Sequence, residues 1–140
     1  MKHIVLDTSI LLHLIRESNF SVIILQHLDL YSDAILRTVP VVVYAELLSL
    51  AKRHNWGERK MINMEKRIKS CLEYNITYSD TELLNAYVKI DNISRETGIT
   101  MSKNDLWIAA TAVVLDAELI TTDKDFAHLA PLYLDLVLFS

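Results

Sequence analysis

The stretch KHIVLDTSILLHLI, Lys2 to Ile15, changes its hydrophobic period at Asp7. Lys2 to Leu6 ends in an unbroken apolar run of strand length, whereas Ile10, Leu11, Leu14 and Ile15 recur at the spacing of one helix face. Asp7, Thr8 and Ser9 stand at the junction as helix-cap candidates. A strand therefore gives way to a helix at Asp7. The same transition is predicted twice more. Thr38 to Val43 is a β-branched run that reads as a strand and leads into Ala45, Glu46, Leu47, Leu48 and Ala51, with Glu46 predicted in the first turn of a helix. Glu118 to Thr122 reads as a strand that runs into Asp123.

Val22 to Leu30, Glu58 to Leu72, Asp80 to Thr97 and Ser102 to Leu115 read as helices, with Gly98 as the C-cap of the third and apolar residues on nearly every side of the fourth. Asn75 to Tyr78 is a weak strand and Leu132 to Phe139 a final one. Strands alternating with helices imply a parallel sheet, because parallel neighbours need crossover connections, with helices on both faces. The predicted fold class is α/β. The 140 residues fit one domain spanning 1–140, and 51% hydrophobic content suffices for its core.

No apolar run reaches the roughly 18 residues of a membrane span, and MKHIVLD meets an acid too early for a signal peptide. The expected setting is cytoplasmic, with no membrane partner. Cys71 is the only cysteine, which excludes an internal disulfide and a thiolate zinc site, and it reads as a small core residue. Two glycines are too few for a Walker loop or a dinucleotide fingerprint. The formal charge of −4 argues against nonspecific coating of nucleic acid, but it is unevenly spread. Lys52, Arg53, Arg59, Lys60, Lys66, Arg67 and Lys69 face only Glu58 and Glu65 in their window. Such a basic run is either a solvated helix face or a surface that draws a phosphate backbone toward an acidic body.

LITTDKDFAHL, Leu119 to Leu129, places Asp123 and Asp125 just beyond a strand. In open parallel sheets, ligands bind outside the carboxyl ends of the strands. Asp7, Glu46 and Asp123 all follow predicted strands, and Asp105 opens a buried helix, so four acids from distant segments are candidates for one rim. Taken singly, Asp7 also reads as a helix cap and Asp105 as a charge on a helix dipole. Glu46 resists that account, because VVVYAELLSLA is otherwise apolar and a lone charge there is costly. Converging carboxylates in a cleft need a cation or must take up protons. Oxygen-only donors favour Mg²⁺ or Mn²⁺, which lower the pKa of bound water and offset charge on an attacked phosphodiester. Asp125 would assist or cap the next helix.

The segments VLDTSILLHLI, VVVYAELLSLAKR and KNDLWIAATAVVLDAELITTDKDF resemble, in order and spacing, the blocks of PIN-domain ribonucleases, and especially the VapC toxins of toxin–antitoxin modules. The resemblance implies a three-layer α/β/α PIN fold with a central parallel sheet of about five strands and an acidic Mg²⁺ or Mn²⁺ site. Matched position by position, the family's four acids fall on Asp7, Glu46, Asp105 and Asp123, and its supporting hydroxyls on Thr8 and Thr121. Asp125 sits where the family is less strict, and Ser9 where many members have Asn. The implied activity is cleavage of RNA. The implied partners are an RNA substrate, a small antitoxin and a second copy of the chain in a homodimer.

Lys52, Arg53 and Lys103 are candidate RNA-phosphate contacts, and surface solvation accounts for each equally well. His13, His54 and His128 lack ligand spacing and receive no role. A phosphoacceptor receiver domain also places acids at strand ends, but IVLDTS offers one acid where that fold wants neighbouring ones. A PIN nuclease of RNA processing and a PIN module that binds RNA or protein without cutting are the remaining alternatives.

Overall fold

Strand β1, Lys2–Leu6, lies at the centre of a four-stranded parallel sheet together with β2, Ile35–Thr38, β3, Glu118–Thr121, and β4, Asp135–Leu138. The computed structural model describes residues 2–71 and 80–140, the side chains at 70, 71 and 80 excepted. The expected strand Asn75–Tyr78 and the expected burial of Cys71 fall outside that description. Among the described residues the sheet has four strands, in the order β2-β1-β3-β4. Val5 pairs with Thr38 on one side and Leu119 on the other, and Ile120 pairs with Val137.

Ile4, Val5 and Leu6 are all fully buried, as are Leu119, Ile120 and Thr121. Successive strand residues point to opposite faces, so both faces of the central strands are covered, as in an α/β/α arrangement. The covering helices are α1, Thr8–Arg16, α2, Ser21–Leu28, α3, Val41–Arg53, α4, Glu58–Cys71, α5, Asp80–Glu96, and α6, Lys103–Val114. A 3-10 helix, Lys124–Leu129, follows β3. Helix α6 buries Leu106, Ile108, Ala109, Ala110 and Ala112, in line with its apolar circumference. Gly98 has φ +81°, which is the left-handed turn expected after α5.

Two expectations change. The β-branched run Thr38 to Val43 is not a strand throughout: β2 stops at Thr38, and Val41 to Val43 form the first turn of α3. Val43, Leu47 and Ala51 make a buried stripe at helical spacing, and burial of that stripe outweighs the strand preference of valine. Pro40 precedes the helix in extended conformation, where its missing N–H leaves no bond unmade. Glu46 therefore sits in the second turn of α3 rather than the first. The final strand begins at Asp135, not Leu132, because Tyr133 and Leu134 donate their backbone N–H groups to the Leu129 carbonyl and hold the segment after Pro131 as a turn.

Candidate active site

The order β2-β1-β3-β4 means that the chain leaves β1 toward one side and returns beyond it on the other. The order reverses between β1 and β3, and the carboxyl ends of the strands at such a point are where a doubly wound sheet binds its ligand. Asp7 follows β1, its backbone N–H donating to the Ile120 carbonyl at 3.1 Å, and Asp123 lies two residues beyond β3.

Asp7 is 4% exposed. It caps α1, accepting from the Thr8 N–H on Oδ1 at 2.7 Å. Its other oxygen, Oδ2, accepts from the Thr121 hydroxyl at 2.6 Å and the Ser9 hydroxyl at 3.2 Å. The capping account and the site account are thus one: the carboxylate is fixed by α1 while its second oxygen faces β3. Burial pushes its pKa up, those three donors pull it down, and the charge of Asp123 adds to the upward push.

Thr121 carries this arrangement further, because its Oγ1 also accepts from the Asp123 N–H at 2.9 Å. Asp123 in turn caps the 3-10 helix through a hydrogen bond from the Asp125 N–H to its Oδ1 at 2.9 Å. Between the two roles considered for Asp125, the cap belongs to Asp123. Asp125 instead brings a carboxylate oxygen within 4.8 Å of those of Asp105 and Asp123, a grouping able to hold a metal ion.

Asp105 enters from the first turn of α6, whose N-cap Ser102 accepts from the Asp105 N–H at 3.2 Å. Burial raises its pKa from 3.8 to about 6, and the charges of Asp7, Asp123 and Glu46 push in the same direction. Glu46 reaches in from α3. Burial raises its pKa as well, with the Asp7 charge adding to the push, while hydrogen bonds from Thr8 and Asn104 hold it back. The Thr8 hydroxyl donates to Glu46 Oε1 at 3.1 Å. The four acids predicted from sequence therefore share one electrostatic field. Among the described residues, none of them forms an ion pair.

A groove of 400 Å³ beside Glu46 is lined by Ser49, Leu50, Arg53 and Asn104. Arg53 thus shares a groove with the site, while Lys52 lines a different one with Trp56 and Met61, and Lys103 is exposed beside the α6 cap. Two residues escaped the sequence reading. Ser9 was visible only as a cap candidate and as a departure from the family's usual Asn, yet it joins Asp7 to the Thr122 N–H, which donates to its Oγ at 3.1 Å. Asn104 carries no local signal at all, since its role depends on α3 packing against α6. The histidines lie elsewhere: His13 bonds Ser18 and His128 bonds Ser94.

A family model described as the PIN domain matches residues 4–132. The chain belongs to the PIN-domain family. No curated protein matches it. Among solved structures, the chain resembles one from VapBC-1 of nontypeable Haemophilus influenzae at 26% identity, with 97% of each chain covered and a TM-score of 0.76. A chain of VapBC2 from Rickettsia felis, crystallised with a DNA fragment from its promoter, aligns at 22% identity over 99% of both chains with a TM-score of 0.76. A third, from VapBC-5 of Mycobacterium tuberculosis, a member of the VapBC family of toxin–antitoxin systems, aligns at 23% identity over 99% of this chain and 100% of its own, with a TM-score of 0.67.

Within this candidate site, Thr121 links the two strand ends, which makes its hydroxyl testable. Thr121→Val leaves the buried Asp7 Oδ2 without its shortest donor and the Asp123 N–H without an acceptor. Loss of about 2 kcal/mol of stability is expected from a charge-assisted bond of this kind, read as a fall of several degrees in Tm. Thr121→Ser should restore most of it.

Proposed function

We propose that this PIN domain is a Mg²⁺- or Mn²⁺-dependent endoribonuclease and the VapC-type toxin of a type II toxin–antitoxin pair. The observation that carries the reading is the convergence of Asp7, Glu46, Asp105 and Asp123 at the carboxyl edge of β1 and β3, with Asp125 beside them. Their donor set is all oxygen and unpaired by any cation among the described residues, which fits a hard divalent ion. When bound, such an ion supplies acidity to water and offsets charge on the scissile phosphate.

In this reading Asp105 and Asp123 hold the ion or ions, with Asp125 assisting, and two further ligands, Asp7 and Glu46, reach in from α1 and α3. Thr8, Ser9 and Thr121 orient those two carboxylates. Arg53, in the groove beside Glu46, faces the RNA backbone and offsets the repulsion between substrate and acids. The proposal extends to a single domain, a cytoplasmic protein, an antitoxin partner and a homodimer. No helix among the described residues is long and apolar enough to cross a membrane. An apolar groove of 330 Å³ lined by Pro40, Val41, Leu83 and Trp107, with Val41 86% exposed, supports contact with a second copy.

The test is cleavage of a mixed single-stranded RNA pool with Mg²⁺, Mn²⁺ or EDTA, with Asp7→Asn/Asp105→Asn as the contamination control. Cutting that needs metal and disappears in the double variant is expected. Metal binding without cutting of any RNA would favour a PIN module that binds without hydrolysis.

A pH dependence follows from Asp105. Its folded pKa of about 6 lies above the ordinary 3.8, so the metal-free fold gains from its protonation, and that gain is lost as pH rises through about 6. Asp7 and Glu46 shift in the same direction. Mg²⁺ competes with those protons, so it should raise Tm more at pH 7 than at pH 5. Thermal unfolding with EDTA and with Mg²⁺ at both values checks this. Equal gains at the two pH values would contradict it.

A further inference from the structure

The acids just described repel the substrate that they are proposed to cut. A chain of net charge −4 must bind RNA through cations placed beside the site, and the basic window that begins at Lys52 supplies them. Lys52 and Arg53 are adjacent, exposed residues in the last turn of α3. They straddle that helix: Arg53 lines the Glu46 groove, and Lys52 lines the groove on the other flank with Trp56. A strand leaving the acids over Arg53 therefore crosses α3 at Lys52 and meets Trp56.

Beyond Trp56 lies a cleft of 610 Å³ between the end of α1 and the start of α4. Arg16 of α1 and Arg59, Lys60 and Lys66 of α4 line it, against one acid, Glu17. Arg16, Arg59 and Lys66 are exposed, and none of the four cations forms an ion pair among the described residues. Cations normally left in water spread apart. Here four from two helices gather around one concavity, and Asn63 fastens the helices together by donating from Nδ2 to the Ile15 carbonyl at 3.3 Å. Lys60 Nζ sits over one face of the Trp56 ring, 4.2 Å from its centroid, so a cation of the cleft touches the indole that lines the neighbouring groove with Lys52. Basic side chains interleaved with an aromatic ring suit a single-stranded nucleic acid, whose phosphates meet the cations and whose bases stack.

We propose that the α1–α4 cleft binds the phosphate backbone of single-stranded RNA flanking the cut site, after that strand crosses α3 at Lys52 and Arg53. This rests on the ribonuclease reading and adds to it a second binding region, away from the acids. An acidic peptide of a partner protein is the competing occupant. Lys52, Arg53 and Trp56 favour RNA, because they join the cleft to the acid groove.

The experiment measures affinity of the full chain for labelled oligouridine of roughly 15 nucleotides in EDTA, across a range of salt. The variant is Arg16→Gln/Arg59→Gln/Lys66→Gln. Arg16→Lys/Arg59→Lys/Lys66→Arg keeps the charge, and Lys89→Gln serves as a distant control. The expected result is binding weakened on the order of tenfold near 0.1 M salt in the first variant. Its log–log salt slope should flatten by about 2, since each single-strand phosphate contact contributes about 0.7. The other two should stay within about twofold of the parent.

Unchanged affinity and slope in the first variant, with metal-dependent cleavage intact in the parent, would overturn the cleft proposal alone. A parent that neither binds nor cuts any RNA would overturn the ribonuclease reading and the cleft proposal together. Tighter binding of oligoglutamate than of oligouridine, lost in the first variant, would reassign the cleft to an acidic protein segment.

Discussion

In Asp7→Asn, metal-dependent cleavage of RNA is expected to fall by more than a hundredfold while the protein stays folded. Removing a residue that merely supports a metal ligand typically lowers affinity or activity 10–100-fold, so loss of a proposed ligand should exceed that. The fold has a separate and opposite response. Asp7 is buried with its pKa pushed up and the Asp123 charge against it, so its ionised form strains the metal-free protein at pH 7. A neutral amide removes that charge and still offers one oxygen to the Thr8 N–H at the head of α1, while its NH2, in the place of Oδ2, must donate to the Thr121 and Ser9 hydroxyls that donate to Asp7. Loss of the buried charge offsets that reversal, so Tm in EDTA at pH 7 should hold, whereas in Mg²⁺ the parent should be the more stable. Asp7→Ala differs, because it also deletes the helix cap, a loss of about 1 kcal/mol. Activity lost together with a collapse of Tm in Asp7→Asn would mean that the carboxylate serves the fold. Full activity in the folded variant would remove Asp7 from the mechanism.

That Asp7 both caps and faces the site explains why the sequence carried so much here. The change of period at Asp7 marks strand end, helix start and rim position at once, and the structure keeps all three. Gly98 is likewise a local signal, acting on backbone within a few residues. Val41 to Val43 misled because their side chains favour strands, and only the packing of Val43, Leu47 and Ala51 against the core makes them helical. Asn104 and the bridging by Ser9 were illegible for a different reason, since each joins segments far apart in sequence, and Thr121 was named only through the family resemblance, because nothing local shows that its hydroxyl reaches Asp7. The two sides taken by Lys52 and Arg53 were readable in principle. Glu46, Ser49, Leu50 and Arg53 follow the spacing of one helix face, and Lys52 does not.

The largest expected change in stability lies at Arg37, which is fully buried on β2. Its guanidinium donates to backbone carbonyls rather than to substrate. Nε bonds the Leu28 carbonyl at 2.7 Å, Nη1 that of Ile35 at 3.3 Å, and Nη2 those of Asp29 and of Ser32, the latter at 3.3 Å. Leu28 ends α2, and Asp29 turns the chain in the left-handed conformation. The last carbonyls of a helix have no partner within it and carry its negative pole. Arg37 supplies both the donors and the positive charge from the neighbouring strand, tying the end of α2 to the loop that enters β2. In Arg37→Met those carbonyls lose their donors, and a loss of about 3–5 kcal/mol is expected from breaking a buried charged network. That corresponds to a fall in Tm of roughly 10 °C or more. Arg37→Lys should recover only part, because an ammonium cannot span carbonyls that the planar fork reaches together. The bonded loop precedes β2, at the edge of the sheet away from the acids, so RNA cleavage per folded molecule at low temperature should be unchanged. A Tm within a degree or two of the parent in Arg37→Met would show that water satisfies these carbonyls as well as the guanidinium does.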